Sequence, residues 1–214
     1  MNSVDRDIAG ATAAHARLEA ELAHLTDEQV TQPSLLPGWT IGHIVAHLAR
    51  NADSHVLMFE AANRGEVGAQ YPGGAEQRIA DIEAGAARPA DEQRADLAAA
   101  HLRLQAAWAG TTPDGWRGEG LSVFGAVPID DLPFRRWRES VVHLADLGLS
   151  STWRDWPTEY VRLELSRMAM LWSSRKPMGL TTLPAIAVAL QDHERLAWLM
   201  GRTEVAGLEP AGIF

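Results

Sequence analysis

The segment RWRESVVHLADLG, residues 136–148, carries an acid and an imidazole four residues apart, Glu139 and His143. Four residues are close to one turn of an α-helix, so the two side chains would project from the same side of a helix. That arrangement suits a divalent metal ion, for which carboxylate and imidazole are common ligands. It also suits a solvated acid–imidazole pair, because the apolar residues of this segment lie on the opposite face. The spacing alone leaves both interpretations open.

A second polar face carries two more histidines, His43 and His47, in the segment that follows Thr40. The apolar residues of that segment recur at helical spacing on another face, so these histidines stand apart from the main apolar stripe. If the two polar faces meet across a cleft, two histidines and Glu139 converge. Catalytic zinc sites use such His/His/Glu sets and leave the fourth position to water or substrate. Nickel, cobalt or iron could occupy the same set, and either His43 or His47 could complete it.

The composition narrows the chemistry further. The 214 residues include no cysteine, which excludes disulfides, thiolate metal sites and a cysteine nucleophile. Any metal must therefore be held by His, Asp and Glu, and any thiol chemistry needs a thiol from outside the chain. A formal net charge of −9 argues against nucleic acid as a partner, but it permits a small anionic substrate held by one or two arginines.

The hydropathy pattern gives an expectation about the cellular location of the protein. No apolar run approaches the length of a membrane span, and the first residues do not resemble a signal peptide. We therefore expect a cytoplasmic protein with no membrane partner. No sequence pattern indicates dimerisation, so we expect a monomer.

Four helical segments would have to position the candidate ligands. Gly- and Pro-rich residues 110–133 indicate a long loop or a small hairpin before the last of them. We therefore predict a mainly α fold in which residues 1–148 form an up-and-down four-helix bundle. Apolar periodicity and capping signals place its helices at residues 3–26, 41–64, 90–109 and 133–148.

The C-terminal 66 residues have a different pattern. Helical periodicity is predicted over 157–174 and again over 192–200. Between them lies the alternating or apolar run GLTTLPAIAVAL, residues 179–190, as a strand candidate. We therefore predict a small α+β domain over 149–214.

Other polar residues receive structural interpretations. His15 lies within the apolar stripe of the first helix, which predicts a hydrogen-bonded core histidine. His55 and His101 are interpreted as exposed or capping residues. Arg136 is interpreted as one partner of a structural salt bridge, with pairing to a ligand carboxylate as the alternative.

Two of the segments resemble a known family. PGWTIGHIVAHLARNAD, residues 37–53, and LPFRRWRESVVHLADLG, residues 132–148, are similar to the mycothiol-dependent maleylpyruvate isomerases. These enzymes belong to the DinB-like four-helix metalloproteins found in actinobacteria. LAWLMGRTEVAGL, residues 196–208, is similar to the end of the family's second domain, so the resemblance covers most of the chain.

The resemblance implies a zinc ion held by His47, Glu139 and His143, whose positions match the family's ligand motifs. It also implies a functional arginine, Arg202, in the Gly-Arg pair after the last helix. The cosubstrate would be mycothiol, a small-molecule thiol whose pKa falls when it binds zinc. In the family the thiolate adds to the double bond of maleylpyruvate, and rotation followed by elimination gives fumarylpyruvate. Arg202 would hold a substrate carboxylate and stabilise enolate charge.

Three alternatives stand beside the isomerase. The same scaffold hosts mycothiol S-transferases, which join the thiol to an electrophilic metabolite or xenobiotic. A metal-dependent hydrolase would use zinc-bound water as the nucleophile. A non-catalytic metal-binding module would keep the bundle and the ligands without needing an open coordination position.

Overall fold

In the described residues up to 150, four long helices form at the positions that the sequence pattern predicts, and three shorter helices accompany them. The computed structural model of the chain describes residues 2–175 and 181–212. None of the helices in these ranges is long and apolar enough to cross a bilayer. In the first part of the chain the helices are α1 (Ser3–Leu22), α2 (Asp27–Val30), α3 (Ile41–Asn63), α4 (Gly74–Ala86), α5 (Ala90–Ala109), α6 (Pro113–Trp116) and α7 (Leu132–Asp146).

The four long helices pack in pairs. α1 packs mainly on α7, and α3 packs on α5 and α4. At Gly10 in α1 an added Cβ would lie 2.4 Å from the Trp137 ring, so the absence of a side chain lets α1 approach α7 closely. The apolar stripes that predict the helices are the ones that become buried, including Leu18, Leu22, Ile44, Leu48, Leu97, Leu104 and Val141. A mainly α fold with a four-helix bundle is therefore confirmed.

The start of α3 is fixed by a reciprocal cap. The Thr40 hydroxyl accepts from the His43 backbone N–H at 3.4 Å, and His43 Nδ1 lies 3.2 Å from the Thr40 backbone nitrogen. The helix ends at Asn63, and Gly65 follows with φ +73°, a left-handed conformation that glycine adopts without strain. This cap holds the register that places His47 on the inner face.

Residues 110–133 contain the predicted hairpin. Strands β2 (Glu119–Ser122) and β3 (Gly125–Pro128) pair antiparallel, with Gly120 opposite Val127. A two-residue strand β1 (Gly68–Ala69) pairs parallel with β2, so the sheet order is β1-β2-β3. A 3₁₀ turn over Ile129–Asp131 then leads into α7.

The chain divides into two compact units, Met1–Ser150 and Ser151–Phe214. The second unit contains α8 (Thr158–Ser173), α9 (Ala185–Ala189) and α10 (Asp192–Leu199) after a 3₁₀ turn at Trp153–Asp155. The strand predicted in GLTTLPAIAVAL is wrong for its described part: Ala185–Ala189 is helical, and residues 151–175 and 181–212 contain no strand. Residues 179 and 180 of that run lie outside the described residues. Alanine accounts for three of the five α9 residues, and its helix propensity outweighs the two β-branched ones.

Candidate metal centre

The N-terminal third of α3 and the C-terminal half of α7 bring three predicted ligands together. His47 lies on α3, and Glu139 and His143 lie one turn apart on α7. One potential ligand atom from each residue lies within 4.8 Å of the others. Glu139 Oε2 is 2.9 Å from His47 Nε2 and 3.4 Å from His143 Nε2, so the carboxylate lies between the two imidazoles. Within residues 2–175 and 181–212 this is the one group of three such side chains with metal-binding spacing.

The cluster is closed on one side and open on the other. The His47 side chain is buried, whereas the side chains of Glu139 and His143 are 29% and 15% exposed. The Trp39 ring lies against His47 at 5.4 Å between ring centroids. A metal ion held here would keep a coordination position toward solvent, as catalytic zinc sites do.

A further carboxylate, that of Asp146, contacts the ring nitrogen of His143 that faces away from Glu139. The buried Asp146 side chain accepts from His143 Nδ1 at 3.0 Å, on the opposite side of the ring from Glu139. Metal-binding histidines usually donate their second N–H to a carboxylate or a carbonyl, and this contact fixes the tautomer that leaves Nε2 free to bind metal. The donor set and its support therefore fit a divalent transition metal such as Zn²⁺.

The three groups strongly perturb one another's pKa values. Burial opposes ionisation of Glu139, but hydrogen bonds from His143 and His47 outweigh it and hold the Glu139 pKa well below its usual range. Burial lowers the pKa of His47. Burial also opposes protonation of His143, yet hydrogen bonds to Asp146 and Glu139 raise its pKa to about 9. The cluster thus combines an ionised carboxylate, a neutral imidazole and a strongly basic one.

Zinc affinity is expected to rise with pH between 6 and 8.5. Because the pKa of His143 is raised to about 9, its proton is bound throughout that window and zinc must displace it. The affinity should increase up to about tenfold per pH unit, as one displaced proton requires. Competition with a chelator at several pH values measures this. Asp146→Asn should move the rise to lower pH, and an affinity that does not change between pH 6 and 8.5 would contradict the assignment.

His43 is not part of the cluster. Its Nδ1 contacts the Thr40 hydroxyl at 2.7 Å and its Nε2 contacts Glu83 at 3.2 Å. Packing therefore brings His47, and not His43, to the two residues of α7, because α7 lies against the face of α3 that carries His47.

A buried polar network lies in the bundle core near Glu139, and the sequence interpretation missed it. Arg136 is fully buried, and its guanidinium donates to His15 Nε2, to the Leu48 carbonyl and to Asn51 Oδ1, each at 2.9 Å. The salt bridge predicted for Arg136 is therefore wrong, because these three hydrogen-bond partners are uncharged. Burial lowers the pKa of Arg136 to about 10, well above neutral pH.

Two histidines predicted to be exposed or capping belong to the same core. His55 and His101 are 2% and 1% exposed, so that prediction is wrong. The His101 ring stacks on His15 at 3.8 Å, which confirms His15 as a hydrogen-bonded core residue. Burial, and then the charge of Arg136, lower the pKa of His55 and that of His101 to about 3, so both rings are neutral. Isolated histidines at helical spacing give no signal that separates this burial from exposure.

Arg202 lies in the second unit, three residues after the end of α10. Its Nη1 donates to the Met200 carbonyl at 2.7 Å. The role assigned to it from the resemblance stays a prediction.

Comparison with known proteins places this geometry in a family. The family model for the mycothiol maleylpyruvate isomerase N-terminal domain matches residues 11–148, which contain all three candidate ligands. The chain belongs to this family. No curated protein matches the chain in sequence.

Solved structures agree with the family assignment. A mycothiol-dependent maleylpyruvate isomerase is 25% identical with a TM-score of 0.82, and the match covers 94% of this chain and 90% of that one. A histidine-to-alanine mutant of such an isomerase is 28% identical with a TM-score of 0.76, covering 81% and 72%. YfiT from Bacillus subtilis, a probable metal-dependent hydrolase with an unusual four-helix bundle topology, is 20% identical with a TM-score of 0.56, covering 70% and 91%. The last similarity supports the fold alone.

Proposed function

We propose that the chain is a zinc-dependent enzyme that uses mycothiol to isomerise maleylpyruvate to fumarylpyruvate. The observation that carries the proposal is the convergence of His47, Glu139 and His143 within 4.8 Å of one another, inside the region that matches the isomerase family. The partly exposed side of the cluster, formed by Glu139 and His143, leaves access for a thiol and for a small anionic or electrophilic substrate.

The three ligands would have distinct roles. Glu139 supplies the negative charge that partly neutralises a divalent ion, and the two imidazoles supply neutral nitrogen donors. Asp146 orients His143 through Nδ1. When bound, a zinc ion lowers the pKa of a coordinated thiol, so that the thiol reacts as a thiolate near neutral pH. Other divalent transition metals would serve the same donor set.

The thiol must come from outside the chain, because the sequence contains no cysteine. An external thiol that is reversibly added and then eliminated is regenerated, as an isomerisation requires. Arg202, assigned from the resemblance, would hold a carboxylate of the substrate during this cycle.

One experiment separates the candidate functions. Purified protein would be loaded with zinc and assayed for loss of maleylpyruvate, with and without mycothiol. We expect isomerisation only when both zinc and mycothiol are present. A stable mycothiol conjugate in place of fumarylpyruvate would replace the isomerase with an S-transferase. Turnover by zinc alone would indicate a hydrolase, and a protein that binds no zinc would contradict every metal-dependent reading.

A further inference from the structure

A cavity of about 340 Å³ lies between α3, α4 and α5, and one of its lining residues touches the metal centre. Three arginines line it: Arg50 from α3, Arg78 from α4 and Arg103 from α5. Arg78 Nη2 lies 3.2 Å from Nδ1 of His47, the nitrogen opposite the one that faces Glu139. Arg78 therefore connects the cavity to the candidate ligand.

Two of the three arginines are neutralised by carboxylates of the chain. Arg50 lies 2.7 Å from Asp96 and 3.1 Å from Asp53, and Arg103 lies 2.7 Å from Asp53. Arg78 has no carboxylate within 4.0 Å among the residues that the structure describes; its contacts are the His47 nitrogen and the Tyr71 ring, whose centroid is 5.6 Å from the guanidinium carbon. A guanidinium carries its charge at all physiological pH values.

His47 cannot accept a hydrogen bond from Arg78 when His47 binds a metal through Nε2. An imidazole that holds an ion through Nε2 carries its proton on Nδ1 and donates it to an acceptor, as His143 does to Asp146. Arginine offers donors only. His47 Nδ1–H and the Arg78 guanidinium would then be two donors facing each other, so Arg78 needs an acceptor from elsewhere.

We propose that Arg78 anchors a carboxylate of the substrate at the edge of the metal centre, an inference that rests on the proposed function. A carboxylate accepts two parallel hydrogen bonds from a guanidinium, which fixes its orientation as well as its position. Glu60 and Asp81 also line the cavity and repel additional negative charge. The cavity therefore selects a ligand whose carboxylate lies at one end and whose remainder near these acids is uncharged.

The test compares two ligands of nearly the same shape, maleamate and maleamide, which differ in one carboxylate. Both are titrated calorimetrically into zinc-loaded protein without thiol. The wild type is expected to bind maleamate about tenfold or more tightly than maleamide, since a hydrogen bond to a charged group contributes that much. Arg78→Ala should abolish the preference and Arg78→Lys should retain part of it. Arg88→Ala, which removes an arginine paired with Asp96 outside the cavity, should keep the preference within about twofold.

Zinc affinity provides the second readout. Arg78 contributes no ligand to the ion, so Arg78→Ala should bind zinc within about threefold of the wild type. The inference is overturned if Arg78→Ala keeps the maleamate preference, if the wild type shows none, or if zinc affinity falls in parallel with maleamate affinity. Should the wild type bind no zinc while its maleamate preference still depends on Arg78, the proposed function fails and the carboxylate site stands.

Discussion

Glu139→Gln is expected to weaken zinc binding by about a hundredfold or more. The substitution keeps the size and shape of the side chain but removes the only negative charge among the three candidate ligands. Structural zinc sites bind with about 10–16 kcal/mol shared among their ligands, so losing one ligand removes several kcal/mol. Chelator competition at fixed pH measures the dissociation constant. His47→Ala should have an effect of the same size and should abolish thiol-dependent turnover.

His43→Ala is the matched control for this experiment. His43 lies one turn before His47 on α3, but its ring contacts Thr40 and Glu83 instead of the cluster. We expect its zinc affinity to stay within about threefold of the wild type, with about 1 kcal/mol of stability lost from the helix cap. A large loss of zinc binding in His43→Ala, with none in Glu139→Gln, would show that the ion is held elsewhere.

Arg136→Met is expected to lower the free energy of unfolding by about 3 kcal/mol. Methionine fills much of the volume, but His15, Leu48 and Asn51 each lose the hydrogen-bond donor that the buried guanidinium supplies. Each buried acceptor left without a partner costs about 1 kcal/mol or more, which sets the expected size. Denaturant unfolding followed by circular dichroism measures the change.

The neighbouring arginine gives the control. Arg135 lies on the same helix and pairs with Asp131 at 2.8 Å, but its side chain is 34% exposed. Arg135→Met should cost less than about 1 kcal/mol, because partly exposed ion pairs contribute little. Buried charges are sometimes replaced by apolar residues with a gain in stability. A more stable Arg136→Met variant would mean that the network serves the site and not the fold.

Much of the bundle could be predicted from the sequence because its helices are strongly amphipathic and their ends carry clear capping signals. Thr40 before α3, Pro133 at the start of α7 and Gly65 after α3 mark helix ends through their backbone preferences. Those signals are local, so they are readable without knowing what the helices pack against. The alternating and apolar residues of the run at 179–190 predict a strand, but the alanine content of Ala185–Ala189 after Pro184 favours helix α9.

Some of the candidate site residues could be predicted from local spacing, and others depend on how the helices pack. Glu139 and His143 share one helix, and their spacing places them together before any packing is known. The distinction between His47 and His43 depends on which face of α3 meets α7, which the spacing does not contain. The resemblance favours His47, and packing brings that residue to Glu139 and His143. Arg78 gave no sequence signal: it is one surface-type arginine among many, and its meaning arises only because α4 brings it against His47.

The burial of Arg136 could not be predicted from the local sequence either. Arg136 lies three residues before Glu139 in the charged run RRWRE, residues 135–139, which predicts a solvated face. In the fold that face turns toward α1 and α3, where His15 and Asn51 receive the guanidinium. Long-range packing, which a local pattern does not contain, turned a predicted surface arginine into a core residue.

The central claim is that the zinc ion binds the thiol of mycothiol. X-ray absorption fine structure at the zinc edge tests it most directly, recorded on zinc-loaded protein with and without mycothiol. Nitrogen and oxygen ligands lie at about 2.0–2.2 Å from zinc, and a thiolate sulfur lies at about 2.3 Å. Because the chain has no cysteine, a zinc–thiolate distance can arise only from the added thiol. We predict a shell of nitrogen and oxygen alone in the absence of thiol, and one sulfur when mycothiol is added. A shell that stays free of sulfur at saturating mycothiol would contradict the account.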